Sequence, residues 1–130
     1  MTNVNYFDLK DFKGLYLEDS FVLDIIETTK LFSFQMQFVL TEDHPKYKDP
    51  SENEMYCYHY GEINFIEPKQ VLWKNRNQKA ASIDANGECD FGNMDIFLKS
   101  EDEYLLEGDW GSVLIKCDNL EVKLQEQSPI

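Results

Sequence analysis

The chain has 130 residues, 42% hydrophobic and 14% aromatic, which suits one domain around a single core and argues against long disorder. Twelve Lys and Arg stand against 25 Asp and Glu, a formal net charge of -13. That balance disfavours nucleic-acid phosphates and anionic lipid as partners and favours a basic protein, the plainer alternative being acidity that serves solubility alone.

In chain order, Phe12 to Tyr16 reads as a short strand around Gly14, and Ser20 to Glu27 (SFVLDIIE) as a second, rich in β-branched and large apolar residues. Thr28-Thr29-Lys30 is short and polar and turns the chain into Leu31 to Thr41, making a hairpin. That last segment carries the clearest signal in the sequence. Phe32, Phe34, Met36, Phe38 and Leu40 alternate with Ser33, Gln35, Gln37 and Val39. Successive side chains of a strand point to opposite faces, so this strand has one apolar face for a core and one mostly polar face for water. At a sheet edge it could pair across a two-fold axis.

Glu42 to Asn53 (EDHPKYKDPSEN) is polar and holds Pro45 and Pro50, so it reads as an exposed loop. Glu54 to Ile66 (EMYCYHYGEINFI) is strand-like, with Gly61 marking a bulge or a close backbone approach. Gln70 to Lys74 is a further strand, followed by a basic polar turn over Asn75 to Lys79, where a helix reaching Ala81 would lack an apolar face. Asn86-Gly87 is a turn signal. Met94 to Lys99, Tyr104 to Asp109, Ser112 to Cys117 and Leu120 to Leu124 follow as short strands, and Gln125 to Ile130 reads as a tail. The expected fold is all-β: one domain over 1–130, an antiparallel β-sandwich or an up-and-down β-barrel, with little helix.

The chemistry-bearing residues are sparse. Cys57, Cys89 and Cys117 are odd in number and form no CxxC, which argues against a disulfide framework or a zinc site. No basic stretch precedes an apolar run near Met1, and no 18 apolar residues run together, so the expectation is a reducing, cytoplasmic protein with no membrane association. His44 is expected in the exposed loop. Cys57 and His59 share a strand face, but two positions at about 3.3 Å each put them about 7 Å apart, long for a nucleophile–base pair. Asp84, Asn86, Glu88 and Asp90 alternate as oxygen ligands for calcium would, yet the glycine comes too early for an EF-hand and no glutamate follows at its last position; a solvated turn is the simpler reading. P-loop, GxGxxG, GxSxG and HExxH motifs are all missing, so no catalytic residue, metal or cofactor is expected.

Two groups remain as candidate partner-binding residues. Tyr56, Tyr58 and Tyr60 share one face of a strand and, if exposed, form a rigid amphipathic contact surface; if buried, they are core. Glu101, Asp102, Glu103, Glu107 and Asp109 form acidic turns suited to a cationic partner.

The segment from Tyr104 to Ile115 (YLLEGDWGSVLI), with Phe12-Lys13-Gly14 near the start, resembles small bacterial β-proteins of no assigned activity. Some of these are similar in size, acidity and lack of catalytic motifs to immunity proteins of bacterial toxin systems. The resemblance implies no catalytic residue. The expected function is therefore a non-enzymatic acidic protein-binding domain, an immunity protein against a cationic toxin being its most concrete form. The alternative is a small β-barrel holding an apolar ligand among its Phe and Met side chains.

Overall fold

In the computed structural model, residues 4–49, 57–76, 82–83, 89–90 and 92–125 are described. Two antiparallel sheets face each other. The five-stranded sheet runs in the order β1 (Val4–Asn5), β8 (Met94–Ser100), β9 (Glu103–Gly108), β10 (Gly111–Lys116), β5 (Gln70–Arg76). The four-stranded sheet runs β11 (Asn119–Leu124), β4 (Cys57–Ile66), β3 (Leu31–Leu40), β2 (Leu15–Glu27). A short ladder pairs β6 (Ser82–Ile83) with β7 (Cys89–Asp90). The only helical turns among the described residues are 3-10, at Tyr6–Asp8 and Lys10–Phe12. The fold is a β-sandwich.

The alternation in β3 is what joins the sheets. Phe32, Phe34, Met36, Phe38 and Leu40 are all buried, and the Phe32 and Phe34 rings meet Trp73 and Trp110 on the side of the opposite sheet. Phe34 lies 5.1 Å from Trp110 between ring centroids, and Phe65 on β4 lies 5.2 Å from Tyr104. Phe12 and Phe97 are closer still, at 4.8 Å. Tilted and edge-to-face rings of this kind add about 0.5–1.5 kcal/mol per pair beyond their burial. With these rings in mutual contact, the interior is a packed core between two layers rather than a hollow barrel.

The Thr28–Lys30 turn and the β2–β3 hairpin form as the sequence predicts. Four expectations change and one alternative is settled. Phe12 to Tyr16 is not a separate strand: Phe12 closes a 3-10 turn, and the extended chain then runs unbroken from Leu15 to Glu27. His44 is only partly exposed, because its backbone lies against Gly14, whose φ of +83° and missing Cβ leave the necessary room. β3 is not an edge strand but is paired on both sides, with β2 and β4. Of the two readings of Gly61, the close backbone approach holds and the bulge does not: the ladder runs through it on both flanks, and an added Cβ would stand 2.3 Å from the Lys123 carbonyl and 2.8 Å from the Phe38 ring. Asn75 and Arg76 complete β5, where a polar turn was expected.

β2 carries the main irregularity. Its pairing with β3 shifts between Tyr16 and Phe21 and again between Val22 and Asp24. The bulge bends the strand toward the five-stranded sheet, so that Val22 N–H donates to the Gly92 carbonyl at 2.8 Å and Phe21 bridges Asn93. Backbone groups that leave the ladder need other partners. The Ser20 hydroxyl, fully buried, accepts from Val39 N–H at 2.8 Å and donates to the Tyr16 carbonyl at 2.7 Å. The Tyr6 hydroxyl accepts from Leu17 N–H at 3.1 Å and donates to Glu18. Burial, and then the bond to Glu18, raise the Tyr6 phenol well above its ordinary pKa.

Ser20→Ala removes the hydroxyl to which the buried Val39 N–H donates. We expect it to cost about 1–3 kcal/mol in urea unfolding, and a loss under 0.5 kcal/mol would show that the bulge finds another partner.

Candidate protein-binding surface

Each sheet has one face in the core and one away from it. On the outer face of the four-stranded sheet, ladder partners form cross-strand rows. The first is Tyr16–Val39–Tyr58, the second Phe21–Gln37–Tyr60, the third Asp24–Gln35–Glu62–Lys123, the fourth Ile26–Ser33–Asn64–Glu121. Alternation dictates this: the residues between Phe32, Phe34, Met36 and Phe38 must point the other way, and so must their partners on β2 and β4.

The first two rows are an aromatic patch. Tyr60 is 51% exposed and Tyr16 41%, while Val39 between Tyr16 and Tyr58 is only 2% exposed although it lies on the outer face. Tyr58 and Tyr60 therefore lie on an outer face and not in the core; Tyr56 is outside the described residues.

Apart from the exposed Ile26 at the β2 end, the third and fourth rows are polar, and their centre is closed on itself. Ser33 Oγ donates to Asn64 Oδ1 at 2.6 Å, and Asn64 Nδ2 donates to Glu62 Oε1 at 2.9 Å. Gln35 Nε2 bonds both Glu62 Oε2, at 3.1 Å, and Ser33 Oγ, at 2.9 Å. The Asn64 amide is the main cause that holds the Glu62 carboxyl below its usual pKa; partial burial opposes it, and Gln35 and Lys123 assist. The two buried polar groups of this face, Ser33 and Asn64, are thus satisfied without solvent.

The acidic candidates fall elsewhere, on the five-stranded sheet. Glu101, Asp102 and Glu103 are at the β8–β9 turn, where Glu101 has φ 57°. Lys69 spans this turn and the next, reaching Asp102 at 3.3 Å and Asp118 at 3.0 Å. Burial raises the Asp102 carboxyl, but the Lys69 bond and nearby lysines outweigh it and leave the group lowered. Glu107 and Asp109 are at the far end of β9, about 13 Å or more along the strand from Glu103 at about 3.3 Å per residue. Glu107 accepts from Ser112 Oγ at 2.8 Å. Asp109 packs where a Cβ on Gly92 would go. The five acidic candidates thus form two groups, neither on the tyrosine face. The carboxylates that share that face are Asp24, Glu62 and Glu121, at alternate positions of strands whose other face is apolar. The signal was present in the alternation; what hid it was not knowing which strands are neighbours.

Trp110, 1% exposed, closes one end of the sandwich, its indole N–H donating to the Asn93 carbonyl at 3.2 Å. Cys57 is partly exposed and His59 buried. His59 Nδ1 donates to the Tyr60 carbonyl at 3.0 Å, so this nitrogen already carries a proton and cannot take one from a thiol. Asp84, Asn86 and Glu88 lie outside the described residues, as do the side chains of Asp90 and Cys89. Among the described residues no three His, Cys, Asp or Glu side chains gather as metal ligands, and no helix is long and apolar enough to cross a membrane.

Comparison with family models, curated proteins and solved structures finds no match for this chain.

The lowered Glu62 carboxyl fixes the sign of a pH effect. Its contribution is present above the ordinary value of 4.5 and is lost as pH falls through the lower folded value. The stability difference between wild type and Glu62→Gln is expected to hold constant above that pH and to shrink below it, read from urea midpoints at stepped pH.

Proposed function

We propose that this chain is a non-enzymatic protein-binding domain whose contact surface is the outer face of the four-stranded sheet. The observation that carries the reading is the aromatic patch of Tyr16, Phe21, Tyr58 and Tyr60 around Val39 and Gln37 on a face that points away from the core. Tyrosine suits such a role because it offers a large rigid area with a polar tip at low entropic cost.

The partner in this reading is basic. A net charge of -13 attracts a cationic protein over a distance set by ionic strength, and Asp24 and Glu62 sit in the row beside the patch. An immunity protein that blocks a cationic toxin fits this combination of long-range attraction and a rigid aromatic footprint. The apolar-ligand alternative draws no support from the interior, where Phe32, Phe34 and Phe65 occupy one another's surroundings.

The test is affinity capture from the native source, followed by binding kinetics with the captured protein. Tyr58→Ala and Tyr60→Ala are each expected to weaken binding by about 30-fold, as truncation of a buried aromatic anchor does. Association should slow as ionic strength rises. Retention of the partner by the double variant Tyr58→Ala/Tyr60→Ala, or an association rate indifferent to salt, would refute the proposal.

A further inference from the structure

The five-stranded sheet has its own outward apolar row. Leu72 on β5 pairs with Leu114 on β10, Leu114 with Leu105 on β9, and Leu105 with Leu98 on β8. Four leucines therefore stand side by side across four neighbouring strands. Their sequence neighbours Val113, Ile115, Tyr104, Leu106 and Phe97 are buried in the core, so the leucines face the other way. Leu72 is 49% exposed, and the other three are partly exposed. A contiguous apolar row on an outer sheet face is a candidate contact surface.

The rows on either side decide what fits it. On one side Lys116 on β10 is the ladder partner of Glu103 on β9; on the other, Ser112 is the partner of Glu107. Consider a two-fold axis parallel to the strands and between β9 and β10. It lays the β10 of a second copy over β9 of the first at the same height. Leu114 then meets Leu105, and Leu72 meets Leu98. Each Lys116 meets a Glu103, twice by symmetry, and each Ser112 hydroxyl meets a Glu107 carboxylate. The face is complementary to itself in both shape class and charge. A basic partner would instead set one of its cations against Lys116.

We infer that two copies of this chain associate through this face, stacking their five-stranded sheets with Leu72, Leu98, Leu105 and Leu114 at the centre. Sheets that pack face to face cross at about 30° through their twist, which still superposes the central rows. Four strands at about 4.8 Å and six residues at about 3.4 Å give a footprint of roughly 20 by 20 Å, about 800 Å² over both copies, which is below the range of stable interfaces and in that of weak, transient ones. A charge of -13 on each copy adds repulsion. The dimer is therefore weak and concentration-dependent, and it leaves the tyrosine face free.

Sedimentation equilibrium of the full chain from about 1 µM to about 500 µM is expected to show a reversible monomer–dimer transition. Leu105→Glu and Leu114→Glu should each remain monomeric throughout, with far-UV circular dichroism and thermal midpoint close to wild type. Glu103→Lys alone and Lys116→Glu alone should each weaken association by about tenfold, and the paired exchange should restore it. A wild type that stays monomeric over the whole range overturns the inference, as does a dimer that survives Leu105→Glu. A paired exchange that fails to restore association overturns the two-fold arrangement.

Discussion

The constraint on which this sandwich depends is the bulge in β2. A single strand of 13 residues pairs with β3 along most of its length and also reaches the opposite sheet at Gly92 and Asn93. It can do both only by leaving its ladder, and leaving a ladder strands backbone groups that are costly to bury unpaired. Two hydroxyls resolve this. Ser20 replaces a missing ladder partner from within the bulge, and Tyr6 does so from the N-terminal segment. That second bond also explains the position of the 3-10 turns at Tyr6–Asp8 and Lys10–Phe12. They bring Tyr6 over the bulge and Phe12 against Phe97, closing the edge of the core.

Aromatic packing then determines how the two layers sit. Phe34 meets Trp110, Trp110 meets Trp73 at 5.9 Å, and Trp73 reaches back to the end of β2 through Glu27. Arg76 bonds the same carboxylate and lies 4.3 Å over the Trp73 ring. This part of β5 is therefore tied to β2 by a shared carboxylate and to β3 by ring contacts. The glycines around Trp110 serve the same closure. A Cβ on Gly108 would meet the Asn93 carbonyl, which is the acceptor of the indole N–H, at 2.0 Å.

With both inner faces committed to the core, interaction is left to the outer faces, and these differ. One sheet presents tyrosines and phenylalanine beside a satisfied polar network. The other presents leucines between a Lys116–Glu103 row and a Ser112–Glu107 row. A surface rich in tyrosine suits a heterologous partner that needs orientation, whereas a row flanked by an opposite-charge pair on one side and a hydroxyl–carboxylate pair on the other suits a copy of itself. The two surfaces belong to different sheets, so occupation of one leaves the other accessible.

Much of the fold was legible because period-two patterning is local. Phe32 to Leu40 announces a half-buried strand, and Thr28-Thr29-Lys30 its hairpin, without knowledge of any other element. The same reasoning placed Tyr58 and Tyr60 together on one face. It could not say whether that face was inside, because the opposite positions Cys57, His59, Ile63 and Phe65 are nearly as apolar. Leu105, Leu114 and Leu98 were hidden for a related reason. In strands such as Tyr104-Leu105-Leu106 and Val113-Leu114-Ile115, both faces are apolar, and a run of this kind reads simply as interior. The acidic turns were read as one patch because they are close in sequence, yet β9 carries its two ends apart.

The sequence by itself determined the all-β class, the main hairpins and the apolar face that builds the core, since each follows from side-chain alternation within one segment. Only the tertiary structure decided the order of strands, and with it which outward residues become neighbours. Cross-strand register brings Tyr16 beside Val39 and Tyr58, and Leu72 beside Leu114, Leu105 and Leu98. Tyr16, Val39 and Tyr58 are about twenty positions apart and Leu72 is further still from Leu114, whereas Leu98, Leu105 and Leu114 follow one another through consecutive hairpins. Their adjacency is set by which backbones share hydrogen bonds, a long-range property that no local pattern encodes.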